Sequence, residues 1–396
     1  MSYNPGQQSG AVGGRNGARK NAKSKNAVPL APGGTGLPYM ALAANIAAPS
    51  RCWTDLMTFS STYALLRKAV FATSPQSPFR RVRILMYSGI YPRAAWLWFQ
   101  ALSRQSLLTD LAVHNRRFVE KPFHRFGQAD MSARSRAALI CGHYAAMEQM
   151  LGDALTARIY LLGESVSLSS TLQYDIVLRE PARCWREGLL TVAWMDRQTG
   201  VDLAWATVSI EYSAETRSCV LLIGGLQGPA GIDRERVRDA TKACHGLRPK
   251  AAVMEALCEL RRLLNIPMLA AVAKSSHVSH ARDKGFHADY DAFWREMGGV
   301  ESGARFILPR ILPHREIGQV PSNKRAAFRR KHALIAEMLA QIQASLGPEL
   351  SGMEQVKETG LYSQHSEHAS TCRLHDGHQP CRQEPLAPGF YGDSAT

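Results

Sequence analysis

Short apolar runs, separated by polar and glycine-rich segments, dominate the chain after residue 156, and this pattern predicts a β-sheet. The turn residues from Asp196 to Gly200 lie between two such runs and predict a hairpin, so the first strands should be antiparallel. We expect strands at residues 159–162, 174–178, 189–195, 203–212, 220–223 and 267–273, and an edge strand at 306–309.

Apolar residues at spacings of three and four predict helices before, within and after this sheet. Pro249 suits the first turn of a helix, and Gly347 followed by Pro348 should end the last one. We expect several helices within residues 53–131, and single helices over 132–155, 233–246, 249–264 and 322–346.

These elements predict an α+β fold, in which a mostly antiparallel, mixed sheet is flanked by helices and preceded by a helical N-terminal region. Both ends of the chain are polar and rich in turn-forming residues, which is typical of disorder. The predicted organisation is a disordered basic arm (1–50), a mostly helical region (51–131), an α+β core (132–346) and a disordered tail containing His and Cys (347–396).

The formal net charge of +15 favours an anionic partner, either a ligand with phosphate or carboxylate groups or an anionic membrane surface. Nucleic acid is not the expected partner, because no binding motif accompanies the charge. The eight cysteines have no spacing typical of a disulfide scaffold, which predicts reduced thiols and a cytoplasmic location. No uncharged apolar run approaches the roughly 20 residues that span a bilayer, so membrane contact would be peripheral, at the inner membrane.

The turn from His245 to Lys250 places Arg248 and Lys250 at the N-terminus of the predicted second helix of the pair. The helix dipole makes this arrangement unfavourable by about 0.3–1 kcal/mol per charge, and a bound anion would relieve it. The alternative is a solvated turn in which Arg248 pairs with Glu235 or Glu255.

Two histidines are candidates for acid–base chemistry. His245 adjoins the cationic turn, although a histidine there also suits a helix C-terminus. His277 follows a strand at the end where sheets often bind ligands, and its alternative is a surface loop. The carboxylates of Glu164, Asp175 and Glu187 are further candidates near the first strands.

No metal site is predicted. The tail carries zinc-type ligands between His365 and Cys381, but it lacks the apolar residues that would build a closed site. The chain also lacks the Walker, G-x-S-x-G and H-E-x-x-H motifs, which removes support for several large enzyme classes.

Several separated motifs resemble, in order, the VirK/YbjX family of bacterial proteins, also called DUF535, over residues 80–345. This resemblance implies a Gram-negative bacterial protein linked to virulence, the cell envelope or resistance to antimicrobial peptides; it implies no established reaction. The motifs are Arg186-Glu187-Gly188, IGGLQGP (223–229), Thr241-Lys242, HGLRPK (245–250), His277, Tyr290-Asp291, Phe293-Trp294, Gly298-Gly299, Leu308-Pro309 and Pro321-Ser322 with Arg325.

Residues 245–273 also resemble the loop, helix and strand with which GNAT-type acyltransferases hold the pyrophosphate of acyl-CoA. The resemblance implies a GNAT-like sheet and acyl-CoA as cofactor, and the adjacent His245 and His277 are then the candidate catalytic residues. Two departures are the extra helix before the turn and Pro249, which lacks an N–H. The implied cofactor-binding residues are Gln227, Gly228, Gly246, Leu247, Arg248 and Lys250.

Two functions therefore remain open: an acyltransferase that modifies an envelope component, and a non-enzymatic basic protein that binds anionic lipid or an envelope partner. The second predicts binding through the basic residues at the start of the last helix. The sequence indicates neither the substrate nor the oligomeric state.

Overall fold

The computed structural model describes residues 63–64, 66–71, 77–115, 117–213, 218–229, 233–279 and 289–371, with backbone alone at 69, 348, 349 and 351–371. The helical region begins with a π-helical turn, Arg67–Phe71, and contains a 3-10 helix, Phe118–Phe123. Its α-helices are α1 (Pro78–Ile90), α2 (Pro92–Arg104), α3 (Ser106–His114) and α4 (Ala133–Tyr160).

Local sequence explains where these helices begin. Pro78 and Pro92 occupy first-turn positions, where the missing N–H has no helical partner to lose. The Ser132 hydroxyl caps α4 by accepting a hydrogen bond from the Ser135 N–H at 3.0 Å.

The sheet has eight strands in the described part of the chain, in the spatial order β1-β2-β3-β4-β5-β6-β8-β7. Every neighbouring pair is antiparallel except β5 and β6, which are parallel. The strands are β1 (Val166–Thr171), β2 (Tyr174–Arg179), β3 (Leu190–Asp196), β4 (Val201–Ser213), β5 (Ser218–Gln227), β6 (Met268–Val272), β7 (Val300–Ser302) and β8 (Arg305–Leu308).

The parallel pair requires a crossover, which is made by two helices, α5 (Asp233–Ala243) and α6 (Pro249–Leu263). These helices, Pro249 in the first turn of α6 and the mixed sheet confirm the predicted α+β class. Strands β5 and β6 are paired from Val220–Met268 to Ile223–Ala271, and β5 continues to Gln227 beyond the paired part.

The prediction is wrong for the first strand. Residues 159–162 belong to the last part of α4, which follows a kink at Gly152 (φ 78°), and to the turn after it; Leu155 and Ile159 form the buried face of this part at four-residue spacing. The true first strand, β1, is rich in serine and has only one mostly apolar face, which makes its sequence resemble a loop.

The remaining elements are α7 (Tyr290–Glu296), the β7–β8 hairpin, α8 (Arg325–Thr371) and three short 3-10 helices, Lys274–Ser276, Ile317–Gln319 and Ser322–Lys324. The predicted end of the last helix is wrong, since α8 continues through Gly347 and Pro348. Of the predicted disordered segments, 1–50 and 372–396 lie outside the described residues, and the domain boundaries stay a prediction.

The core lies between the sheet and the helices packed on it. Helix α4 contacts β4, α6 contacts β3 and β4, and α8 contacts β1 and α6. His143 of α4 is a satisfied core residue: it accepts from the Ile210 N–H at 3.1 Å, and its other ring nitrogen is 2.8 Å from the Tyr160 hydroxyl. Of the helices described, none is sufficiently long and apolar to cross a membrane.

Candidate functional site

The turn between α5 and α6 has a left-handed backbone at two successive residues, with φ of 55° at His245 and 92° at Gly246. The Gly246 N–H donates to Thr241 O at 2.8 Å, and the Leu247 N–H donates to Cys244 O at 2.9 Å. The Gly246 bond and the bond from the His245 N–H to Lys242 O at 3.2 Å form a Schellman-type cap of α5, and the Leu247 bond closes the next turn, so the N–H groups of Gly246 and Leu247 both have backbone acceptors. They are therefore not free to cradle phosphate, which corrects the expectation for Gly246 and Leu247.

The anion-binding capacity of the turn lies instead in the first turn of α6. Ala252 N–H donates to Arg248 O at 3.0 Å, so the helical ladder starts there, and the N–H groups of Lys250 and Ala251 belong to the helix end that has no partner within the helix. Burial, and next the charge of Arg248, lower the pKa of Lys250.

Arg248 forms an ion pair with Glu296 of α7, both side chains being about half exposed. The proposed pairing with Glu235 or Glu255 is therefore wrong: Glu235 lies 3.7 Å from Arg238, and Glu255 pairs with a histidine before α8. An exposed pair of this kind contributes about 0–1 kcal/mol to stability, so Arg248 can exchange Glu296 for another anion at little cost.

A cavity of about 1070 Å³, here called the strand-end cavity, extends from the end of β5 to this turn. Gly228 and Pro229 line it at the strand, and His245, Arg248 and Lys250 line it at the turn. Lys242, Arg234 and Arg238 of α5 add positive charge, while Leu203, Val237 and Phe293 supply apolar walls. The cavity thus suits an anionic ligand with an extended less polar arm.

The last residues of β5, before Gly228, are covered by the segment that precedes β3. Gly224 is the extra residue of a β-bulge, because Val208 pairs with Ile223 and Thr207 with Gly225. A Cβ on Gly224 would lie 1.7 Å from the backbone oxygen of Glu187, and one on Gly225 would lie 2.0 Å from Glu187 Oε2. The two glycines therefore make the space that Glu187 occupies.

Glu187 is only 5% exposed, and hydrogen-bond donors surround its carboxylate. Gln227 Nε2 donates to Oε1 at 2.8 Å, and the thiol of Cys184 donates as well. His277 Nε2 lies 3.5 Å from Oε1. Because Ser279 N–H donates to Nδ1 of His277 at 3.2 Å, the hydrogen of the neutral ring is on Nε2, facing the carboxylate.

Burial raises the pKa of Glu187 to about 8, against the opposing effect of the donors. A carboxyl group with such a pKa exchanges protons near neutral pH, which is the property of a general acid or base.

Helix α7 places an aromatic ring against this cluster. Tyr290 stacks on His277, with ring centroids 5.2 Å apart, and burial raises its pKa. Two contacts with the end of β6 hold α7: the Trp294 indole N–H donates to Val272 O at 3.1 Å, and Asp291 accepts from the Lys274 N–H at 2.8 Å.

Another cavity, of about 540 Å³ and here called the polar cavity, has Trp205, Arg183 and Pro229 in its walls. Burial raises the pKa of the Cys184 thiol to about 11, and the neighbouring Trp205 side chain partly opposes this rise. Glu187 lies in the wall of neither cavity: Gly228, which follows Gln227, lines the strand-end cavity, and Arg183, which precedes Cys184, lines the polar cavity.

The structure brings Gln227 and His277 together with Glu187, whereas His245, Gly246, Arg248 and Lys250 border the strand-end cavity. The surface-loop alternative for His277 is wrong, because its side chain is buried. The other carboxylates lie in ion pairs: Glu164 with Arg158 at 2.8 Å, and Asp175 with Arg197 at 2.9 Å.

Cys184 and Tyr290 were missed as site residues. Tyr290 belongs to one of the family-like motifs, which was an available signal, whereas Cys184 has a left-handed φ of 57° that no sequence pattern reveals. Among the described residues, no group of three or more His, Cys, Asp or Glu could hold a metal ion, and the His/Cys side chains of the tail lie outside them.

Comparison with known proteins places these features in a family context. The model of the family "Protein of unknown function (DUF535)" matches residues 74–344, which include every residue of the site. The uncharacterized protein YbjX of Escherichia coli K12 is 31% identical over 285 residues, covering 69% of this chain and 84% of YbjX.

Two uncharacterized proteins of Haemophilus influenzae match shorter stretches. One is 32% identical over 130 residues, which are 32% of this chain and 44% of that protein. The other is 30% identical over 129 residues, 31% of this chain and 43% of that protein. No solved structure matches the chain.

The buried carboxyl predicts a specific dependence of stability on pH. Between the unfolded pKa of 4.5 and the folded pKa of about 8, the folded state keeps a proton that the unfolded chain releases. The contribution of Glu187 to stability is complete below pH 4.5 and is lost as the pH rises through 8. Over that range, this residue lowers the free energy of unfolding by up to about 1.4 kcal/mol per pH unit. Urea unfolding at pH 5 and pH 8 should show that the free energy of unfolding falls less between these two pH values in Glu187→Gln than in the wild type.

Glu164→Gln is the matched control, because this carboxyl is exposed and paired with Arg158. Its pH dependence should equal that of the wild type. If Glu187→Gln loses as much stability between pH 5 and 8 as the wild type does, the folded-state pKa of Glu187 is not raised.

Proposed function

The chain belongs to the DUF535 family, and we propose that it is an acyltransferase that uses acyl-CoA. The acceptor we propose is an envelope component or its precursor, in line with the VirK/YbjX resemblance. One observation carries the proposal: the end of β5 separates a buried, proton-exchanging carboxyl from a cavity that leads to cationic residues at a helix N-terminus.

The residues that line the strand-end cavity fit coenzyme A chemically. Lys250, Arg248 and Lys242 supply charge for phosphates, and the N-terminus of α6 adds N–H donors. Leu203 and Phe293 line the part of the cavity that a less polar arm would contact, and Gly228 allows that arm to approach the backbone at the strand end. The sheet, with one parallel pair joined by a helical crossover, is also compatible with the GNAT resemblance.

Coenzyme A would supply the acyl group as a thioester. Glu187 accepts the proton that an amine or hydroxyl of the acceptor loses as it bonds to the acyl carbon. That proton leaves with the thiol when the carbon–sulfur bond breaks. His277 and Gln227 hold the carboxylate in place, and we assign the acceptor to the polar cavity, whose wall includes Arg183, the residue before Cys184. Such general-base assistance typically contributes about 10²–10⁴-fold to the rate.

Binding of coenzyme A to the full-length protein tests this proposal. At a concentration about 100-fold above Kd, the ligand should stabilise the fold by about 2.7 kcal/mol, which raises Tm by several degrees. Arg248→Ala and Lys250→Ala should each weaken binding about tenfold or more, because each removes a charge-assisted contact to phosphate. Thermal shift and calorimetry measure both effects.

Arg262→Ala is the matched control, because Arg262 forms a similar ion pair with Glu259 at the opposite end of α6. It should bind coenzyme A as the wild type does. No shift with coenzyme A or acetyl-CoA, or equal weakening by all three substitutions, contradicts the proposal.

A second candidate function, peripheral binding to an anionic membrane, is favoured by helix α1. Phe79, Val82, Met86 and Ile90 recur at three- and four-residue spacing and are between 52% and 75% exposed. They lie opposite the buried face of α1, Arg80 and Arg93 are close to them along the chain, and the Arg83 guanidinium lies 5.8 Å from the centre of the Phe79 ring. An apolar stripe beside arginines fits the surface of a bilayer with anionic lipids.

Flotation with phosphatidylcholine vesicles, with and without phosphatidylglycerol as the anionic lipid, tests this candidate. Binding should require the anionic lipid, weaken with salt and fall severalfold in Phe79→Ser/Met86→Ser. Leu162→Ser, at a position 68% exposed elsewhere on the surface, should have no effect. Unchanged binding of the double variant contradicts a role for α1, and a dimer that this variant dissociates would assign the stripe to a second copy.

A further inference from the structure

A further cavity, of about 910 Å³, lies on the opposite side of the α5–α6 turn and is here called the α8 cavity. Its walls come from this turn, from the segment after β8 and from the first turns of α8. His245, Gly246, Arg248 and Ala327 line both this cavity and the strand-end cavity. The cationic turn therefore stands between two spaces large enough for ligand groups.

The α8 cavity carries an excess of positive charge. Arg315, Lys324 and Lys331 line it, and none of them forms an ion pair within the part of the chain that the structure describes. Its two carboxylates already have partners. Glu296 pairs with Arg248, and Glu255 lies 3.2 Å from His314.

Burial raises the pKa of Glu255 to about 7, so near neutral pH this carboxyl only partly offsets the lysines. Three cations around one cavity repel each other unless an anion joins them. The cavity therefore suits a ligand group with at least one phosphate or similar charge.

The same cavity has an aromatic and apolar side. Leu312 and Met297 are buried in its wall, and the half-buried ring of Phe328 lies 4.2 Å from that of His332. Flat heterocyclic bases stack on such rings with little preference among bases. An anion attached to an aromatic base thus matches both sides of the cavity.

Coenzyme A has this composition at one end and carries its pyrophosphate between that end and the thiol arm. With the pyrophosphate at the α5–α6 turn and the thiol arm in the strand-end cavity, the nucleotide end faces the α8 cavity. We propose that the α8 cavity binds the 3′-phosphoadenosine end of coenzyme A, with Lys324, Lys331 and Arg315 around the 3′-phosphate. This inference rests on the proposed function.

The test compares coenzyme A with 3′-dephospho-coenzyme A, which differ only in that phosphate. In calorimetry, the full-length wild type should bind coenzyme A at least about tenfold more tightly than it binds the dephospho form. In Lys324→Ala/Lys331→Ala this preference should fall to about one, whereas the affinity for the dephospho form should stay close to that of the wild type. Arg329→Ala/Arg330→Ala is the matched control, because these exposed cations of α8 do not line the cavity.

The outcomes separate the two proposals. If the wild type binds both compounds equally, or if the lysine variant keeps the preference, the nucleotide end does not lie in the α8 cavity, although the acyltransferase proposal stands. If neither compound binds, both proposals fail. Lys324→Ala alone, at an exposed position, serves as a second variant should the double substitution lower the Tm.

Discussion

The packing of Glu187 against Gly224 and Gly225 is the contact on which the rest of the candidate site depends. Glu187 lies against the bulge in β5 at distances that leave no room for a side chain on either glycine. The bulge interrupts the regular pairing with β4, and the segment before β3 lies over the interruption. Without this close approach, the carboxylate could not be both buried and within reach of Gln227 and His277.

Burial and hydrogen bonding act on this carboxylate in opposite directions. Desolvation favours the protonated form, whereas donors favour the charged form, and desolvation is the larger effect, since the pKa is raised to about 8. The strained φ of Cys184 fits this interpretation, because left-handed backbone at a non-glycine residue persists only where surrounding contacts impose it. Burial of Glu187 therefore lowers the stability of the fold at neutral pH, and it leaves a carboxyl group that exchanges its proton near that pH.

Sequence patterns predicted well those parts of the fold that depend on local chemistry. Pro249, the glycines at the end of β5 and the spacing of α6 placed the crossover and the cationic turn. The sequence patterns gave wrong predictions where tertiary contacts determine the structure. The serine-rich β1 lies at the edge of the sheet, and α8 continues through Gly347. Glu187, Gln227 and His277 were each candidates from the sequence, but their meeting around one buried carboxylate was not predictable, because it arises from a contact between distant segments. The N–H groups of Gly246 and Leu247 already donate to backbone oxygens within the turn, which the sequence did not indicate, so they are not available to a phosphate.

The central claim is that one ligand extends from the α5–α6 turn to the carboxyl end of β5. A crystal structure of the full-length protein grown with acetyl-CoA tests it most directly. The account predicts pyrophosphate oxygens within hydrogen-bond distance of the N–H groups of Lys250 and Ala251, and the thioester beside the Gly224–Gln227 end of β5, next to Glu187. Acetyl-CoA bound elsewhere, or an empty strand-end cavity at saturating acetyl-CoA, would contradict it.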